Sequence, residues 1–173
     1  MRLRGLGLCA IGAILLVAAV AASDTDGPDD PRVRSTHPYI RAMIEEAGQR
    51  SPTFRRLVET IEATDGIVYV EQGICTHSLR ACLALWVTPT NERRFLRVLV
   101  DARQPDWEVM SSIGHELQHA VEVLSNPSIR SFEGIFAFYQ REGFTMGDSF
   151  ESGAAMRVGD VVRNEVASFA KKR

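Results

Sequence analysis

The stretch Ser112-Ile113-Gly114-His115-Glu116-Leu117-Gln118-His119-Ala120-Val121 carries the pattern H-E-x-x-H at residues 115 to 119. Around it, Trp107, Met110, Gly114, Leu117, Val121 and Leu124 recur at three-and-four spacing, which predicts an amphipathic helix from Asp106. Asn126-Pro127 stops that helix. On a helix, His115 and His119 lie one turn apart on the same face, beside the apolar stripe. Two imidazoles so placed can hold one Zn²⁺, and the Glu116 carboxylate between them can act on water at the metal.

Upstream of the motif the period changes twice. Pro38 to Gln49 suits a first helix, with Tyr39, Ile40, Met43, Ile44 and Ala47 on one side. Ser51-Pro52 opens a second, because Ser caps and Pro fits the first helical position, and Gly66 ends it. Ile67-Val68-Tyr69-Val70, Leu83 to Val87 and Phe95 to Val100 are rich in β-branched and apolar residues and predict three strands, with a turn at Pro89 to Glu92. Three short strands in sequence suggest a small antiparallel β-meander. Downstream, Ser128 to Arg141 suits a helix, Gly143 to Gly147 a loop, and Asp148 or Ser149 caps a last helix to about Ala170. The expected fold class is α+β: the meander packed with the H-E-x-x-H helix and C-terminal helices.

The N-terminus has a different character. Arg2 and Arg4 precede the uncharged apolar run Leu6 to Val20, and small residues follow to Ala22. That is the layout of a signal peptide over residues 1–22, and an uncleaved membrane anchor is the competing reading. Residues 23–35, rich in Asp and Pro, suit a flexible linker, leaving 36–173 as one domain. Cleavage after Ala22 would remove two arginines and take the formal charge from −2 to −4. A mildly acidic chain without a basic stripe is not built for nucleic acid. The expected location is secreted or periplasmic, and there Cys75 and Cys82, the remaining pair, suit a disulfide. A Cys-Cys-His zinc site using His77 lacks a fourth ligand nearby.

A catalytic zinc needs a third protein ligand. Glu122 shares the histidines' face, but residues 115 and 122 are separated by about 10.5 Å of helix rise, too far for ligands about 2 Å from one ion. Glu151 is the leading candidate. In the first turn of the last helix it would share a face with Ala154, Ala155, Val158 and Val162, where an unsatisfied carboxylate is costly. The helix dipole also favours an acidic residue there. Glu133, Asp148 and Glu142 are the other candidates. A di-iron bundle is disfavoured, since no other Glu precedes a His by three residues.

The motif helix, low in charge apart from its Glu, resembles that of the zincin metallopeptidases. Phe150-Glu151-Ser152-Gly153-Ala154-Ala155 is similar to the second motif of the gluzincin branch, and the resemblance spans residues 67 to 170 in a minimal single-domain form. It implies a His115, His119, Glu151 zinc site, with Glu116 as general base in hydrolysis of a peptide or protein substrate. It further implies that strand Arg94 to Asp101 pairs with substrate, and that Tyr139, His77 or Tyr69 stabilises the transition state, although the apolar helix face that carries Tyr139 favours a core aromatic there. The alternative is a zincin-like domain that binds zinc or a partner protein without catalysis.

Overall fold

The computed structural model describes residues 30–76, 79–146 and 149–170. The expected signal peptide, most of the linker, His77 and Asp148 lie outside the described residues. From Pro31 onward the chain forms one compact α+β unit. Its elements are β1 (Val33–Arg34), α1 (Pro38–Arg50), α2 (Pro52–Glu62), β2 (Gly66–Gln72), β3 (Ala81–Leu83), β4 (Thr88–Pro89), β5 (Arg94–Val100), α3 (Asp106–Leu124), α4 (Phe132–Glu142), β6 (Phe144–Met146), β7 (Ser149–Glu151) and α5 (Gly153–Ala170). No described helix is long and apolar enough to cross a membrane.

The larger sheet has the order β1-β2-β5-β3, with β4 also on β5. It is mixed and is not the antiparallel meander expected from strand succession. β2 and β5 pair in parallel, matching Val68 with Leu96 and Val70 with Val98, and β3 and β4 pair antiparallel with β5. The physical reason lies in burial. β2 and β5 are long, Val-rich and buried, which suits the centre of a sheet, whereas β3 and β4 are short and form a broken edge. Only Ala81–Leu83 and Thr88–Pro89 are extended where one strand over residues 83 to 87 was expected. The spacer also ends early, because Val33 and Arg34 join the sheet beside Val68 and Tyr69.

One face of the sheet, with Val68, Val70, Leu96, Val98 and Val100, enters a single core with Ile40, Phe54, Ile113, Leu117 and Val162. α3 is enclosed on more than one side, by the sheet, α2 and α5. Its buried set is therefore wider than one stripe and includes Val109, Ile113, Ala120 and Val123, while Trp107 stays 41% exposed. α5 runs antiparallel to α3: Ser152 contacts Glu122, Ser111 donates to the Gly159 carbonyl, and Arg163 meets Glu108. Gly159 permits this approach, since a Cβ there would lie 3.3 Å from His115 Nδ1. Ser51 caps α2 through the Phe54 amide, and Glu165 of α5 accepts from Thr53 N–H at the same helix end.

Arg94 anchors the end of α3. Its side chain is only 1% exposed, yet every nitrogen donates. Nε and Nη2 bond Asp65, while the guanidinium reaches the carbonyls of Val123, Leu124, Asn126 and Ile129. It thus satisfies carbonyls that a helix terminus leaves without intrahelical partners. A cation is also favoured at the negative end of the helix dipole.

Candidate metal centre

The H-E-x-x-H helix and the β7–α5 junction meet in one cleft of about 630 Å³. His115, His119 and Glu151 converge there, with one ligand atom from each within 4.8 Å of the others. His115 Nε2 lies 3.2 Å from Glu151 Oε2, and His119 Nε2 lies 3.2 Å from Glu151 Oε1. Two atoms each about 2 Å from one ion at a tetrahedral angle stand about 3.3 Å apart, so this donor set can hold a metal ion. Two imidazoles and a carboxylate also suit several divalent metals chemically.

Glu151 reaches this position differently from the expectation. It ends strand β7 and is not part of the last helix. Ser152 intervenes as the cap of α5, its Oγ accepting the Ala155 amide. Antiparallel pairing of β7 with β6, Phe144 opposite Glu151, fixes the strand on which the carboxylate sits. Glu133 and Glu142 are exposed on α4 and do not join the cluster. Glu122, excluded as a ligand by helix rise, is absent from it too.

Glu122 has another place, which sequence reasoning missed. His119 Nδ1 lies 2.8 Å from Tyr139 Oη and 3.1 Å from Glu122 Oε2. Tyr139 Oη donates to the same Glu122 oxygen at 3.1 Å, and Ser152 Oγ donates to Glu122 Oε1 at 2.6 Å. A proton on Nδ1 satisfies this arrangement and leaves Nε2 free as a ligand, the support that metal-bound histidines need. The i, i+3 spacing of His119 and Glu122 was the available signal. Tyr139 accordingly stands behind His119. Tyr69 accepts from Arg34 on β1 and does not border the cleft.

The charges are strongly coupled. Burial disfavours a charge on His119, but its bonds to Glu122 and Glu151 outweigh this and raise its pKa to about 9. Burial likewise opposes ionisation of Glu151, yet the two histidines hold its pKa far below the ordinary carboxylate range. The protonated His119 imidazole balances the carboxylate as a cation would. Glu116 is raised chiefly by burial, against the pull of His119 and His115. Burial and neighbouring carboxylates push Tyr139 up, so it stays a neutral phenol.

The Glu116 carboxylate borders the same cleft and accepts the backbone N–H of Leu83 at 2.7 Å. Leu83 is on edge strand β3. The strand expected to pair with substrate, Arg94 to Asp101, is β5, which has β2 on one side and β3 and β4 on the other. Its backbone is spent within the sheet, so β3 is the strand with an open edge at the cleft. Cys75 and Cys82 form a disulfide that ties the rim loop to β3. Comparison with protein families, curated proteins and solved structures finds no match.

Proposed function

We propose that this chain is an exported zinc metallopeptidase with a zincin-like, gluzincin-type site. The observation that carries the reading is the convergence of His115, His119 and Glu151 in a cleft that also holds Glu116. His115 and His119 would bind through Nε2 and Glu151 through its carboxylate. Zinc, when bound, supplies Lewis acidity toward a carbonyl and toward water. Glu116 takes a proton from water and delivers it to the leaving amine. Its buried setting favours the neutral acid, which suits the second half of that task. The Leu83 N–H holds the carboxylate beside the edge strand, where an extended peptide can add by backbone hydrogen bonds.

Metal analysis of the purified chain, paired with a peptide-library digest, tests the proposal. About one zinc per chain is expected, lost in His115→Ala and His119→Ala. Glu116→Gln is expected to keep the metal and abolish cleavage. Equal products from wild type and Glu116→Gln would leave a zinc-binding or protein-interaction domain. Absence of metal after refolding with zinc would remove the site altogether.

A further inference from the structure

The cleft continues away from the metal centre to a pair of arginines outside the catalytic constellation. Arg80 immediately precedes β3, and Arg163 lies on α5, one turn beyond Gly159. Both guanidiniums converge on one oxygen of buried Glu108: Arg80 Nη1 at 2.7 Å and Arg163 Nη2 at 3.0 Å from Oε2. Arg163 also stacks over Trp107, with 5.7 Å from the guanidinium carbon to the ring centroid. Each guanidinium has five N–H donors, and Glu108 takes one from each. Among the described residues, the buried Arg163 Nε has no hydrogen-bond partner. Asp160 borders this end as well, exposed one turn before Arg163. The side chains of Arg80 and Arg163 are 52% and 41% exposed, so unused donors remain accessible.

The strand direction says what these donors meet. Asp101 N–H donates to the Arg80 carbonyl and Ala84 N–H to the Arg97 carbonyl, so residues 80 and 84 face β5. Alternation leaves the backbone groups of Ala81 and Leu83 on the open edge. β3 therefore runs from Arg80 toward Leu83 and Glu116. A peptide adding antiparallel, the more stable pairing, runs the other way, from the metal centre toward the arginines. Arg80 precedes Leu83 by about 10 Å of strand, and Glu108 precedes His115 by about 10.5 Å of helix. Allowing for inward reach of the side chains, this spans two or three residues of extended substrate.

We infer that Arg80 and Arg163 form a carboxylate subsite selecting peptides whose free C-terminus, or an acidic side chain, lies two or three residues beyond the reacting bond. The subsite rests on the peptidase reading for its role and is testable by binding alone. The probes are three N-acetylated tetrapeptides: a C-terminal acid, its amide, and an amide ending in Asp. Calorimetric titration into zinc-loaded Glu116→Gln protein should show the acid binding about tenfold or more tightly than the amide. Adding Arg80→Gln or Arg163→Gln should reduce that preference to below about threefold, as each variant leaves Glu108 one partner. Arg103→Gln, at an exposed arginine outside the cleft, should leave it unchanged. Tight binding of the Asp amide assigns recognition to any carboxylate at that position, and weak binding assigns it to the chain terminus. Equal binding of acid and amide, or a preference that survives both arginine substitutions, overturns the subsite. Acid preference without cleavage of any peptide by wild type would retain the subsite and sink the peptidase. Cleavage without acid preference would do the reverse.

Discussion

At His119 three side chains settle which nitrogen is free. Glu122 and Tyr139 hold Nδ1, and Ser152 bonds the other oxygen of Glu122 while capping α5. A ligand imidazole without such support rotates and loses basicity. Glu122→Ala should therefore weaken zinc binding by about 10–100-fold in competition with a chromophoric chelator. Ser152→Ala, which removes one bond to Glu122, should have a smaller effect in the same direction. The proton on His119 has its own consequence. Its pKa is raised from 6.5 to about 9, so in metal-free protein its contribution to stability is complete below 6.5 and disappears as pH rises through about 9. Zinc must displace that proton. Apparent zinc affinity should rise by ~tenfold per pH unit between about 7 and 9, while the metal-free protein melts at lower temperature over the same interval. A pH-independent affinity across that interval would mean that no such proton is released.

Among the elements, α3 depends on Arg94 for its C-terminal end. Arg94→Ala would strand Asp65 and take from the Leu124 and Ile129 carbonyls their side-chain donor, while the Val123 and Asn126 carbonyls keep backbone donors, and should cost about 3–5 kcal/mol in urea unfolding. Arg94→Lys should recover little, because an ammonium cannot reproduce the planar fork. The Arg94 bonds hold the Asp65 pKa below its ordinary value of 3.8, against some opposition from burial. A depressed carboxylate stabilises above its unfolded pKa and loses that stability as pH falls through the folded one. Asp65→Asn should therefore flatten the acid limb of stability against pH. None of this was legible from Arg94 itself, which sits in an ordinary strand pattern. The motif helix, its stop at Asn126-Pro127 and the Phe95-to-Val100 strand were legible because periodicity and breakers are local signals. The parallel match of β2 to β5 was not, because strand order depends on which strands can be buried on both sides, a property of the assembled sheet. Glu151 was identifiable as a costly carboxylate, but its strand setting was hidden: Ser152 and Ser149 are equally good caps, and tertiary contact with Glu122 selects the former.

For the molecule as a whole, the H-E-x-x-H helix, a capping strand–helix junction and a short edge strand enclose one cleft, and covalent chemistry holds its rim. The disulfide between Cys75 and Cys82 closes a small loop between β2 and β3. In the chain-entropy account a loop of this size contributes about 2.5 kcal/mol. β3 is only three residues long and, among the described residues, pairs with β5 alone, so it has few hydrogen bonds of its own with which to keep its place. Reduction should therefore act on the rim before it acts on the core, where Val68, Val98 and Ile113 are fully buried. Cys75→Ser/Cys82→Ser protein should show faster amide exchange at Ala81 to Leu83 than at β2, together with a loss near that size in urea unfolding. Because Leu83 N–H steadies Glu116, zinc affinity should change little while peptide turnover falls. If exchange quickens uniformly across the sheet, or if zinc is lost along with turnover, the disulfide supports the whole fold and the edge strand has no separate dependence on it.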